Sequence, residues 1–156
     1  MSYKEDGVLS TAKLNLPSEK RLKRGPVAIL ECIENIPCDP CVDACPFDAI
    51  SMEEITDLPK IDYEKCTGCG SCVSVCPGLA IFVVDLSEEK ARVTMPYEFL
   101  PIPEKGEKVK AVNRKGEVAG DATVMSVRKN KNKTNTVTVE VDKKLGMKIR
   151  HIKVVR

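Results

Sequence analysis

The sequence has no tryptophan, a single histidine, and only three tyrosines and three phenylalanines in 156 residues. After Tyr97 the one remaining Phe, Tyr or Trp is Phe99, so no row of such rings is available on which nucleic-acid bases could stack. Long apolar runs are also missing. None approaches 18 residues, and 31% of the chain is charged, which argues against a membrane span. The opening MSYKEDGVLSTAKLNL has no apolar centre of the kind a secretion signal needs. A cytoplasmic chain is therefore expected, and there paired disulfides are disfavoured. The sequence contains no P-loop, G-x-G-x-x-G, G-x-S-x-G or H-E-x-x-H. No catalytic residue is assigned, and substrate chemistry is expected on another polypeptide.

What is present is thiol. Eight cysteines fall in two groups: Cys32, Cys38, Cys41 and Cys45 within ECIENIPCDPCVDACPFDAI, and Cys66, Cys69, Cys72 and Cys76 within KCTGCGSCVSVCPG. Charge is distributed around them unevenly. Residues 1–24 hold six Lys/Arg against three Asp/Glu, a net +3; residues 25–86 hold two against eleven, a net −9; residues 87–156 hold seventeen against nine, a net +8. All the cysteines lie in the acidic segment, and its carboxylates read as a solvated face around them.

The two groups are an internal repeat, CVDACPFDAI and CVSVCPGLAI. Two zinc sites could use eight thiolates, but zinc ribbons favour paired C-x2-C knuckles across a longer span, without a third cysteine at i+6 or a trailing C-P. The run C-x2-C-x2-C-x3-C-P at residues 66–77 is the iron–sulfur pattern. Three cysteines at i, i+3 and i+6 wrap one tight loop, and Gly68 and Gly70 let it turn sharply with backbone N–H groups facing inward. Pro46 and Pro77 stop the short helical turn that carries each fourth cysteine.

Over roughly residues 27–85 the chain resembles the bacterial-type two-[4Fe–4S] ferredoxins. The resemblance implies an α+β, ferredoxin-type dicluster module with pseudo-two-fold symmetry and crossed ligation. Cys66, Cys69, Cys72 and Cys45 would hold one cluster, and Cys32, Cys38, Cys41 and Cys76 the other. The gap after Cys32 is five residues (Ile33 to Pro37) where the family has two, which makes Cys32 the divergent ligand. An apolar shell of Leu30, Ile36, Ile50, Val73, Val75 and Ile81 is expected to keep water from the sulfurs.

Outside the repeat, short strands are predicted at 26–32, 60–66, 80–85 and 91–97, followed by a Pro-containing linker at 98–106. Residues 107–156 read as a small all-β, barrel-like extension. KVKAV, a turn at NRKG, and VAGDATVMSV precede an exposed basic loop, RKNKNKTN. TVTVEVD then places Val137, Val139 and Val141 on one face, and KIRHIKVV ends the chain. The organisation is thus a basic arm (1–24), a cluster module (25–97), the linker (98–106) and the β extension (107–156). His151, alone of its kind, is expected to be structural.

These readings point to one-electron transfer through two [4Fe–4S] clusters. The basic additions at both ends suit a docked subunit rather than a free low-potential ferredoxin. The stretches GPVAILECIENIPCDPC, KCTGCGSCVSVCPGLAIFVVD and PYEFLPIPEKGE also resemble iron–sulfur subunits that accompany FAD-dependent amino-acid or amine dehydrogenases of the proline and hydroxyproline type. A larger flavoprotein partner is implied. The competing class is a structural or regulatory cluster protein whose β domain binds nucleic acid, disfavoured by the missing rings.

Overall fold

The computed structural model describes residues 14, 16–33 and 37–155. Two antiparallel sheets organise them. The larger has seven strands: β1 (Val27–Leu30), β4 (Ile81–Asp85), β5 (Lys90–Tyr97), β6 (Lys108–Asn113), β7 (Val118–Arg128), β8 (Asn135–Asp142) and β9 (Ile149–Lys153). Their spatial order is β1-β4-β5-β8-β7-β6-β9. The smaller sheet pairs β2 (Ile50–Ser51) with β3 (Lys60–Ile61). Two short helices complete the list of main elements, α1 (Glu19–Arg24) and α2 (Pro40–Ala44).

Strand β1 is buried along its whole length because it has two packed faces. Val27 and Ile29 join Phe82 and Val84 of β4 in a core with Val93, Met95, Val137, Val139 and Val141. Ala28 and Leu30 face the other way with Ile81 and Val83, against Cys41, Cys72 and Val73. The period of two in a strand produces this division. The paired strands β1 and β4 therefore separate the thiol-rich region from the core of the β extension.

The extension is joined to the cysteine-bearing segment by backbone pairing, since β8 pairs with β5 from Lys90↔Asp142 to Tyr97↔Asn135. The residue pattern explains most of its elements. Val137, Val139 and Val141 alternate inward as predicted. At NRKG, Asn113 Oδ1 accepts the N–H groups of Lys115 and Glu117, and Gly116 takes φ 82° to close the turn. A register shift between Val124 and Ser126 lets β7 bend while still pairing with both β6 and β8.

At the end of β5, where the linker begins, three rings cluster, with Phe99 still 60% exposed. His151 stacks on Tyr97 with centroids 5.5 Å apart, and Phe99 meets the His151 ring edge-on at 5.2 Å. The linker runs along this end, held where the Tyr97 hydroxyl donates to the Pro101 carbonyl and Thr134 Oγ1 donates to Glu98. Strand β3 is shorter than the 60–66 expectation. Asp62 ends it, accepting the Glu64 N–H on its side chain and the N–H groups of Lys65 and Cys66 on its carbonyl.

Candidate metal centre

Two cavities collect the thiols. One is lined by Cys32, Cys38, Cys41 and Cys76, together with Leu30, Pro40 and Ile81. The other is lined by Cys45, Cys66, Cys69 and Cys72, with Ala28, Phe47 and Ile61. Each cavity thus takes three cysteines from one half of the repeat and one from the other. Strand pairing brings this about. β1 runs into Cys32 and pairs with β4, which follows Cys76, and Glu31 N–H donates to the Ala80 carbonyl at 2.7 Å. In the other half β3 leads toward Cys66 and pairs with β2, which follows Cys45, and Asp62 N–H donates to the Ala49 carbonyl at 2.7 Å.

The repeat is visible atom by atom. Ala49 N–H points at Cys45 Sγ and Ala80 N–H at Cys76 Sγ, both at 3.4 Å. Each alanine follows a left-handed residue, Asp48 at φ 54° and Leu79 at φ 53°. Ala28 N–H reaches Cys66 Sγ at 3.3 Å. Gly68 and Gly70 sit at φ 71° and 80°, which turns the Cys66–Cys72 loop around its cavity. Helix α2 starts with Pro40 and is capped by Cys45, whose backbone is extended before Pro46.

The thiols are crowded, and all but the exposed Cys69 are buried or half-buried. Burial, followed by the nearby Cys66 and Cys69, pushes the Cys72 thiol up to about 12. Burial, followed by Cys76, pushes Cys41 up to about 11. Cys38 is also raised, by burial first and Cys76 next. The strongest thiol neighbour of Cys38 and Cys41 is thus a cysteine from the other half of the repeat. Burial would raise Cys69 as well, but hydrogen bonds involving Ser71 and Thr67 outweigh it and hold the thiol below its ordinary value. Raised values favour the neutral thiol, so four thiolates in either cavity would need a cationic centre to stay ionised.

The donor set fits an iron–sulfur cluster: four cysteine sulfurs in each cavity, backed by the Ala28, Ala49 and Ala80 N–H groups, with a lining that is mainly apolar apart from Asp57 in one and Thr67 in the other. A single zinc ion bound at about 2.3 Å would draw four sulfurs to within about 4 Å of one another. Among the described residues no three His, Cys, Asp or Glu side chains are placed to hold one metal ion. Of the expected apolar shell, Leu30, Ile50, Val73 and Ile81 pack on the cysteines, Ala28 and Val83 join them, and Val75 is half-buried. Ile36, and most of the widened gap after Cys32, lie outside the described residues.

Two charged residues depart from the sequence expectation. Glu31 is not part of a solvated face. Following Leu30 in the strand alternation, it turns to the extension side, where it is buried. There Arg114 grips both its carboxylate oxygens at 2.8 and 2.9 Å, and Arg150 Nε donates to Oε2. The two guanidinium groups hold its carboxyl below the usual carboxylate range although burial alone would raise it. Arg150 Nη2 lacks an acceptor among the described residues, and the Phe82 ring lies 5.3 Å from the guanidinium carbon.

The second is Arg21, in EKRLKRG. The sequence suggests a basic arm for a partner here, yet Arg21 is only 6% exposed and Leu22 5%. Local sequence does not signal the burial of Arg21, because its Tyr63 and Cys66 partners stand 42 and 45 residues away. The basic loop likewise touches its own chain: Asn132 Nδ2 donates to the carbonyl of Ser74, between Cys72 and Cys76.

Residues 59–82 match a described family, the 4Fe-4S binding domain. Among curated proteins, the chain is 47% identical over 47 residues to the polyferredoxin-like subunit of an aliphatic sulfonate oxidoreductase from Pyrococcus furiosus, covering 30% of this chain and 27% of that protein. It is 49% identical over 49 residues to one subunit of a Na(+)-translocating ferredoxin:NAD(+) oxidoreductase complex from Acetobacterium woodii, covering 31% and 14%. A ferredoxin from Pyrobaculum islandicum is 44% identical over 46 residues, covering 30% and 42%. The chain spans less than half the length of each of these relatives. No solved structure matches it. Among the described residues no helix is long and apolar enough to cross a membrane.

Proposed function

We propose that the chain is an electron-transfer subunit holding two [4Fe–4S] clusters in a ferredoxin-type module. Cys45, Cys66, Cys69 and Cys72 would hold one cluster, and Cys32, Cys38, Cys41 and Cys76 the other. The observation that carries the reading is the pair of cavities, each ringed by four thiols drawn from both halves of the repeat. When bound, such clusters supply one-electron chemistry. The chain's own part is to supply the thiolates, aim the Ala28, Ala49 and Ala80 N–H groups at sulfur, and exclude water with Leu30, Ile50, Val73 and Ile81.

The partner in this proposal is a larger redox subunit, a flavoprotein of the amino-acid or amine dehydrogenase type. Two of the relatives named above are themselves subunits of oxidoreductases, which supports the subunit role. The dehydrogenase type rests on the sequence resemblance alone. Anaerobic purification from the native host, with iron and flavin assayed in the same fractions, tests both levels. About eight iron atoms per chain are expected, with flavin co-eluting on a second polypeptide. Zinc-loaded, colourless protein would remove the cluster reading; iron-loaded protein eluting alone would remove only the flavoprotein partnership.

A further inference from the structure

Arg21 is a buried cation whose partners among the described residues are all neutral. Its Nε donates to the Tyr63 carbonyl at 2.7 Å, Nη1 to Gly25 at 3.2 Å, and Nη2 to Pro26 at 3.0 Å and Cys66 at 2.7 Å. The arginine is 6% exposed and makes no ion pair among the described residues. Asp62 and Glu64 line the open groove beside it, but Glu64 is given to Arg24, in an exposed pair at 2.7 Å. The contrast with Arg114 and Arg150 is direct, since those two share a buried carboxylate. Burying a guanidinium without an anion is unfavourable unless a counter-charge lies close by.

The position of the fork suggests where that counter-charge is. It grips the backbone on two sides of one cavity wall. Pro26 leads into β1, where the Ala28 N–H meets Cys66 Sγ, and Tyr63 and Cys66 bracket the entry to the cysteine loop. Gly68, in the same loop, sits so close to Pro26 that an added Cβ would lie 2.5 Å from the proline Cβ. Arg21 therefore fixes the spacing between β1 and the Cys66 loop and sets a positive charge behind a cysteine that lines the cavity.

We infer that Arg21 is a positioning residue for the Cys45–Cys66–Cys69–Cys72 site, and that its buried charge selectively raises the reduction potential of the cluster held there. The inference rests on the two-cluster reading above. Reduction adds negative charge, which a nearby fixed cation favours, and burial protects that effect from screening by salt. Arg24, three residues along the same helix but solvent-exposed, carries the same formal charge without that protection.

The test is an anaerobic redox titration of the full-length, cluster-loaded protein followed by electron paramagnetic resonance, comparing wild type with Arg21→Gln, Arg21→Lys and Arg24→Gln. Arg21→Gln is expected to lower one of the two reduction steps by roughly tenfold in its equilibrium constant, about 59 mV for one electron, and to leave the other in place. Arg21→Lys keeps most of the wild-type value, and Arg24→Gln moves neither step. Unmoved steps in Arg21→Gln, equal shifts in both, or the same shift in Arg24→Gln would overturn the inference. If Arg21→Gln fails to load iron, Arg21→Lys decides: loading with both steps in place supports the charge role, and failure to load reduces Arg21 to a structural latch. Iron-free wild-type protein would instead overturn the cluster reading itself.

Discussion

Glu31 lies between two residues that line the same thiol cavity, Leu30 and Cys32, yet its side chain points the opposite way, into two arginines. Removing one member of such a buried group leaves charge uncompensated and typically costs about 3–5 kcal/mol. Glu31→Gln is therefore expected to lower the denaturant midpoint steeply, with an unchanged slope if unfolding stays two-state. A loss below about 1 kcal/mol would show that the three side chains are not held as the structure places them. His151 gives a test of opposite character. Burial pushes its imidazole below its ordinary value, with only the Ile152 carbonyl opposing. A lowered histidine favours the neutral ring in the folded state. Its stabilisation is thus fully present above about pH 6.5 and declines as the pH falls through that value toward the folded pKa. Unfolding measured at pH 7.5 and pH 5.5 should show this fall in wild type and a smaller one in His151→Phe; equal slopes would contradict it.

The loops and strands are unevenly legible from sequence, for physical reasons. β8 announces itself through Val137, Val139 and Val141, because a half-buried strand needs only its own alternation. The turn at NRKG is equally local. Glu31 reads as one more solvated carboxylate because its partners Arg114 and Arg150 stand 83 and 119 residues downstream, and only the folded sheet brings them together. The early end of β3 is hidden because Asp62 serves as a strand residue as easily as a turn acceptor. At the candidate site the eight thiols are plain, and their crossed grouping is expected from family resemblance rather than from spacing. The loop glycines separate two effects. An alanine at Gly68 would need a left-handed φ and would place Cβ 2.5–2.6 Å from Pro26 atoms, whereas Gly70 at φ 80° has open space. Gly70→Ala should cost about 1–2 kcal/mol of backbone strain and retain iron. Gly68→Ala should lose about half the iron, because one site alone is deformed. Equal iron contents in the two variants would refute the close approach.

At the scale of the whole molecule, the β1–β4 layer has two clients, thiols on one face and the extension's core on the other. A chain truncated after residue 97 would expose Val27, Ile29, Phe82 and Val84 and leave Glu31 without either arginine. Such a fragment is expected to be insoluble or iron-poor when expressed beside the full chain; a soluble, fully loaded fragment would show that residues 98–156 contribute nothing to the fold of the rest. Everything proposed for the clusters depends on the crossed grouping of thiols, and iron content in paired cysteine variants reads it directly. Cys41→Ser combined with Cys76→Ser removes two ligands from one cavity and should leave about four iron atoms per chain. Cys69→Ser combined with Cys76→Ser strikes both cavities and should leave close to none. The reverse result, with iron retained in the second pair and lost in the first, would mean that each half of the repeat binds its own cluster.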